Sequence, residues 1–91
     1  MAMYIVMGRM VRGRTIVDAG QLRALVYAAA EPEDGLEHVY AETDLEGAGA
    51  VLFLCATSAE RAEATAVRIV DRLLAQDELR GWEWEGRRGE A

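Results

Sequence analysis

Hydrophobic positions along the chain recur with two periods, one near two residues and one near 3.6, which predicts strands and helices in turn. Runs rich in β-branched and aromatic residues predict strands, and apolar residues at i, i+3, i+4 and i+7 predict two helices that each bury one face. In chain order the predicted elements are a strand at 3–11, a helix at 19–30, strands at 37–43 and 50–56, a helix at 57–76 and a strand at 82–85.

The order β-α-β-β-α-β predicts an α+β, ferredoxin-like plait, in which two helices cover one face of a four-stranded antiparallel sheet. Right-handed crossovers place the first and third strands in the centre, which gives the strand order 4-1-3-2. These two strands are apolar at both odd and even positions, whereas the second and fourth strands alternate, as edge strands with one wet face do. The connectivity and the hydrophobic pattern therefore agree.

Short polar segments predict where the elements begin and end. Asp18 is placed to cap the first helix, and the segment 31–35 contains a proline and a glycine that stop it. A turn is expected at 44–49. Thr57 followed by Glu60 has the spacing of a capping box, which predicts the start of the second helix.

Two helices can cover only one face of the sheet, so one apolar side of the central strands is left without a cover. We expect a homodimer that packs sheet face against sheet face or pairs sheet edges. The alternatives are that the C-terminal segment or the 31–36 loop covers the face, or that a different partner or a lipid-like ligand does. The pattern leaves open which parity faces outward. The uncovered apolar side chains are either Met3, Ile5, Met7, Val51, Phe53 and Cys55 or their neighbours of opposite parity.

The last predicted strand adds two aromatic residues to this surface. Its two tryptophans share one parity, which favours a place in a core or an interface; the alternative is that they rim a pocket on the open face. The candidate ligand or interface residues are Tyr4, Val6, Phe53, Trp82 and Trp84.

Composition narrows the classes of protein further. The chain has 91 residues, the size of one domain, which we predict over 1–85 with a frayed tail over 86–91. Its net charge of −6 disfavours nucleic acid and anionic membranes as partners. No apolar run approaches the roughly 20 residues that span a bilayer. All ten basic residues are arginine, a bias typical of a bacterium with a high-GC genome.

The single cysteine and the single histidine limit the available chemistry. They exclude an intramolecular disulfide and the repeated ligands of a structural zinc site. A reducing compartment, the cytoplasm, is the expected location. No phosphate-binding loop, dinucleotide fingerprint, zinc-protease or serine-hydrolase motif occurs, so no metal and no cofactor are predicted.

Three residues are weak candidates for catalysis. Cys55 comes shortly before a predicted helix N-terminus, where the helix dipole stabilises anions, and His38 on the neighbouring strand is the only imidazole base. Tyr40, and Glu42 after it, share a strand face with His38. The competing interpretation is that Cys55 is a small core residue and that His38 lies on the surface of an edge strand.

An arginine stripe on the second predicted helix is a candidate anion site. Arg61, Arg68 and Arg72 are seven and four residues apart, which puts them on one side of that helix. Neighbouring acidic residues equally allow a self-neutralised, solvated surface.

Arg9, Arg12 and Arg14 form a second basic group where the first strand ends. Residues 8–13 (GRMVRG) resemble the phosphate-binding loop of acylphosphatases, which share the β-α-β-β-α-β order. The chain contains no asparagine to orient the attacking water, so acylphosphatase activity is excluded. The resemblance leaves an anion site at Arg12 or Arg14 to be tested.

Three functions compete on this evidence. The leading one is a non-catalytic binding or accessory module that homodimerises through its open face and binds a peptide, a protein or a small apolar ligand. The alternative is a cofactor-independent enzyme similar to dimeric α/β-barrel isomerases and oxygenases, in which His38 or Tyr40 moves protons. The third is an acidic inhibitor or immunity-type protein for a basic partner, which the charge of −6 permits.

Overall fold

The computed structural model describes residues 1–86, so residues 87–91 of the predicted tail lie outside the described part, and Gly86 belongs to the last strand. The elements are β1 (Ala2–Val11), α1 (Ala19–Ala29), β2 (Leu36–Thr43), β3 (Gly47–Ala56), α2 (Ala59–Leu74) and β4 (Glu83–Gly86), with 3-10 turns at Pro32–Asp34 and Asp77–Leu79.

The four strands form one antiparallel sheet in the order β2-β3-β1-β4. This is the predicted order read from the other edge, so the α+β class with a four-stranded antiparallel sheet and two helices is confirmed. The central strands β1 and β3 pair along their whole length, from Ala2 opposite Ala56 to Val11 opposite Gly47.

The core lies between the helices and one face of this sheet, because α1 packs against β2 and α2 packs against β1 and β3. The side chains at even positions of the central strands point into this core: Met10 and Leu54 are fully buried. They meet the apolar stripes of the two helices, such as Leu22 of α1 and Ile69 of α2, which are also fully buried. The odd positions therefore face outward, which settles the parity that the pattern left open.

β3 begins at Gly47, three residues before the predicted start, because the hairpin turn is tighter than the predicted 44–49. The Asp44 carboxylate accepts from the backbone N–H groups of Glu46 and Gly47, each at 2.9 Å, and closes the turn within a few residues. Glycine is needed at 47, since a Cβ there would lie 1.9 Å from the Met10 carbonyl oxygen. The glycines in this segment thus belong to a strand.

The N-cap residue of α1 is the predicted one, whereas the N-cap residue of α2 is not. Asp18 caps α1 as predicted, accepting from the Gln21 N–H at 2.7 Å. The predicted Thr57 cap of α2 is wrong: Ser58 is the N-cap, and its Oγ accepts from the Arg61 N–H at 3.2 Å. The helix begins one residue later as a result, and the predicted box with Glu60 does not form.

Candidate functional site

One face of the sheet is left uncovered by the helices, and we call it the open face. It carries the odd-numbered side chains of β1 and β3 with their partners on the edge strands, because residues opposite each other in an antiparallel pair point the same way. The open face consists of Met3, Ile5, Met7, Arg9 and Val11 of β1, Gly49, Val51, Phe53 and Cys55 of β3, His38, Tyr40 and Glu42 of β2, and Glu83 of β4.

The centre of the open face is apolar and exposed. Five large side chains are 42% to 55% exposed, and they are Met3, Ile5, Met7, Val11 and Tyr40. At roughly 200 Å² for a fully exposed large side chain, these five present on the order of 500 Å² of surface. The largest apolar patch on a typical monomer is about 300–600 Å² and is often functional, so this face is a candidate interaction surface.

The 31–36 segment does not cover this face, contrary to one of the predicted alternatives. Asp34 in this segment is buried, and its carboxylate accepts hydrogen bonds from the Arg72 guanidinium of α2 and from the Glu31 N–H, the latter at 2.8 Å. The segment is therefore held beside α2, on the covered side of the sheet.

Four of the five candidate ligand or interface residues lie on the covered side. Val6 and Trp82 are 5% exposed and belong to the core, while Tyr4 and Trp84 are half-buried against it. The tryptophans therefore fill the core, as the favoured interpretation had it, and the alternative that they rim a pocket on the open face is wrong. Only Phe53 of this group lies on the open face, where it pairs with Ile5.

The tryptophans lie on the covered side for two local reasons. Trp84 pairs with the buried Met10 and packs onto Gly8, where a Cβ would lie 1.8 Å from its ring. Trp82 donates its indole N–H to the Thr15 hydroxyl at 3.0 Å. A glycine in β1 thus makes room for an indole from the edge strand.

A pocket of about 330 Å³ lies at the end of the open face nearest the β2–β3 hairpin. Arg9 and Glu42 stand on either side of Gly49, since both pair with it across the sheet. The apolar part of the lining comes from Met7, Tyr40 and Val51.

An ion pair closes one wall of this pocket. The Arg9 Nη2 donates to both carboxylate oxygens of Asp44, at 2.6 Å each. The hydrogen bond from Arg9 holds the pKa of Asp44 below its ordinary value, with help from the Glu46 N–H, and the same hydrogen bond raises the pKa of Arg9. Both groups therefore stay charged at neutral pH. Sequence reasoning missed this pair, although an arginine inside an apolar strand was a signal for it.

The three catalytic candidates are not brought together as a reacting group. His38 is exposed and packs its ring against Phe53, with ring centroids 5.5 Å apart. Cys55 is half-buried, and within residues 1–86 no hydrogen bond joins its thiol to His38. Tyr40 lines the 330 Å³ pocket, whereas His38 does not.

The predicted arginine stripe of α2 is largely occupied by the protein's own groups. Arg72 donates to the Ala29 carbonyl at 2.7 Å and to Asp34. Arg68 donates to the Thr65 hydroxyl at 3.1 Å and lies 4.0 Å from Asp34. Arg72 thus anchors the 31–36 segment, and its guanidinium is not free to hold an anion.

The remaining arginine candidates are exposed. Arg61 lines a second cavity of about 260 Å³, where Arg68, Glu33 and Asp34 also lie, so its surroundings carry both signs of charge. Arg12 and Arg14 line neither of the two cavities.

The outer edge of β2 is occupied in its middle by side chains of α1. The Val39 N–H donates to the Tyr27 hydroxyl at 3.2 Å, and the Val39 carbonyl accepts from the Arg23 Nε at 3.0 Å. The Arg23 guanidinium also lies 5.5 Å from the centroid of the Tyr27 ring. Backbone groups that a second strand would need are thus already in use, which disfavours pairing at this edge.

Comparisons with protein-family models, with curated proteins and with solved structures found no match. Within residues 1–86, no group of three or more His, Cys, Asp or Glu side chains is arranged to hold a metal ion. No helix in the described part of the chain is both long enough and apolar enough to cross a bilayer.

Proposed function

We propose that the protein is a non-catalytic binding module, a ferredoxin-like plait that forms a homodimer by packing two open faces together. The observation that carries the proposal is the exposed apolar centre of the sheet, where Ile5, 55% exposed, lies opposite the half-buried Phe53. A peptide, a protein or a small ligand then binds at the seam or beside it. We also propose a cytoplasmic location, which the single cysteine supports.

The size of the face supports a dimer. Two copies together remove on the order of 1,000 Å² contributed by the five most exposed large side chains of each. The half-buried Val51 and Phe53 and the flanking strands add to this area, and stable interfaces bury roughly 1,200–2,000 Å². Every copy of the chain carries the same apolar face, so a second copy is a partner with a matching surface.

The edge of β2 supports face packing over edge pairing, because Arg23 and Tyr27 already bond to Val39 there. The charges favour one orientation of the two copies. Glu42, Asp44 and Glu46 cluster at the hairpin end of the face. A twofold axis that crosses the strands near Ile5 keeps these two acidic ends apart.

The enzyme alternative has less support, because His38 lies outside the 330 Å³ pocket and, within residues 1–86, the Tyr40 hydroxyl has no hydrogen bond to a base. The inhibitor alternative rests on the net charge of −6 alone.

Cross-linking through a residue at the centre of the face tests the proposal. Packed sheets lie about 10 Å apart, so two cysteines near the axis are within reach of a short bismaleimide. We use Ile5→Cys in a Cys55→Ala background, with Ile16→Cys, whose parent residue is 79% exposed outside the sheet, as the matched control. The proposal predicts a covalent dimer for Ile5→Cys and none for Ile16→Cys, at a protein concentration raised about a hundredfold above the wild-type Kd because the cysteine removes most of the Ile5 side chain. Equal cross-linking of both variants, or none in either, would overturn it.

A further inference from the structure

Neither the backbone conformation at position 49 nor the space around it requires a glycine. Its φ lies outside the left-handed region, and a Cβ built on it would contact only the Glu42 Cγ, at an ordinary 3.7 Å. By contrast, a Cβ on Gly47 would lie 1.9 Å from a carbonyl oxygen. A glycine inside a strand weakens the strand, and it often marks a bulge, a bend or the close approach of a ligand or another backbone.

The missing side chain at Gly49 opens the floor of the 330 Å³ pocket. Arg9 and Glu42 pair with Gly49 from the two neighbouring strands, so a polar group stands on each side of the opening. The next level along the strands is apolar and consists of Met7, Val51 and Tyr40.

The charge of this pocket is negative. Arg9 is neutralised by Asp44, to which its Nη2 donates twice at 2.6 Å. Glu42 is exposed and has no hydrogen-bond or ion-pair partner within residues 1–86. The negative charges of two further carboxylates, those of Glu46 and Glu85, help to raise the pKa of Arg9. This excess of negative charge attracts a cation and repels an anion.

We propose that this pocket binds a small amphipathic amine, that is, a primary ammonium group on a short apolar or aromatic stem. The ammonium pairs with the Glu42 carboxylate and lies against the Tyr40 ring, which attracts cations through its π-face. The stem lies over Gly49 and contacts Met7 and Val51. The pocket volume of about 330 Å³ is at the small end of ligand pockets, which suits a stem of one aromatic ring.

This inference deepens the proposed function by naming the ligand class of the module, and it rests on that proposal only in treating the site as a binding site without catalysis. One copy supplies all the lining residues, and Met7 and Tyr40 are also among the side chains that the proposed dimer covers, so amine binding and oligomeric state are measured on the same samples.

Titration of the ¹⁵N-labelled protein with phenethylamine tests the proposal, with 2-phenylethanol and 3-phenylpropionate as neutral and anionic probes of similar shape. We expect saturable shifts of the Gly49, Tyr40 and Val51 amide signals with phenethylamine, and weaker or unsaturated shifts with the other two. Equal responses to all three probes would overturn the charge argument. No saturable shift with phenethylamine would overturn the site itself.

Two variants locate the binding. Glu42→Gln should weaken phenethylamine about fivefold, as expected for one exposed charge pair, whereas Glu37→Gln, the same change elsewhere on β2, should leave it unchanged. Gly49→Ala fits sterically and should weaken binding, and Gly49→Leu should abolish it. Binding that survives Gly49→Leu in a variant whose amide spectrum shows the native fold would contradict the proposal.

The two proposals fail independently. Amine binding by a chain that stays monomeric would contradict the dimer and leave this site standing. A dimer that ignores phenethylamine would contradict this site and leave the dimer standing.

Discussion

Ile5→Ala removes the centre of the proposed interface while changing little of the monomer core. Full burial of an isoleucine side chain is worth about 1.5–3 kcal/mol. Because Ile5 is 55% exposed in one copy, about half of this, roughly 0.8–1.5 kcal/mol per copy, is gained when two faces meet. A dimer contains the residue twice, so the loss is about 1.5–3 kcal/mol, which raises the dimer Kd roughly 10- to 150-fold.

Sedimentation equilibrium over a wide concentration range gives the Kd of the wild type and of Ile5→Ala. Ile16→Ala is the matched control, because Ile16 is 79% exposed and lies outside the open face, and we expect it to leave the Kd unchanged. The reasoning is refuted if Ile5→Ala and Ile16→Ala dimerise as tightly as the wild type while both remain folded by circular dichroism.

Two further predictions concern the folded chain itself. Gly8→Ala places a Cβ 1.8 Å from the Trp84 ring, so it should destabilise the fold by about 1–3 kcal/mol in urea unfolding. Gly49→Ala adds a Cβ that makes only an ordinary 3.7 Å contact with the Glu42 Cγ, so it should be neutral or stabilising by about 0.5–1 kcal/mol. Equal effects of the two changes would contradict the packing of Trp84. The ion pair of Arg9 with Asp44 should stabilise the fold above the unfolded pKa of an aspartate, about 3.8, and its contribution should be lost as pH falls through the lowered folded pKa. The difference in unfolding free energy between wild type and Asp44→Asn should therefore shrink from pH 7 to pH 3, and a difference that is constant with pH would count against the pair.

The sheet order followed from the sequence because two independent signals agreed on it. The right-handed crossover rule placed the first and third strands in the centre, and the same strands were apolar at both parities. Which parity is buried was not readable, because Val6 and Met10 are as apolar as Ile5 and Met7. That choice depends on long-range packing, such as the indole of Trp84 over Gly8.

The candidate site was harder to predict than the fold. Gly47 and Gly49 look like turn residues, and only the register shows that they extend β3 and leave a gap beside Arg9. Because the turn was predicted to span residues 44–49, Gly49 was not placed in a strand and the pocket beside it was not predicted.

The arginine stripe of α2 also shows what sequence-based prediction misses. The helical spacing of Arg68 and Arg72 correctly placed both near one surface, but the partner of Arg72 is Asp34, 38 residues earlier in the chain. A buried carboxylate brought in by a loop turned a candidate anion site into a structural contact. Local periodicity carries no information about such a partner.

Light scattering on the wild-type protein at micromolar concentration shows whether two open faces pair. If they do, the particle has twice the 10.0 kDa mass of the chain, and its mass falls towards that of one chain in Ile5→Glu and stays at that of two in Ile16→Glu. A wild-type particle of 10.0 kDa at these concentrations, with the apolar centre of the sheet still exposed to solvent, would contradict the pairing.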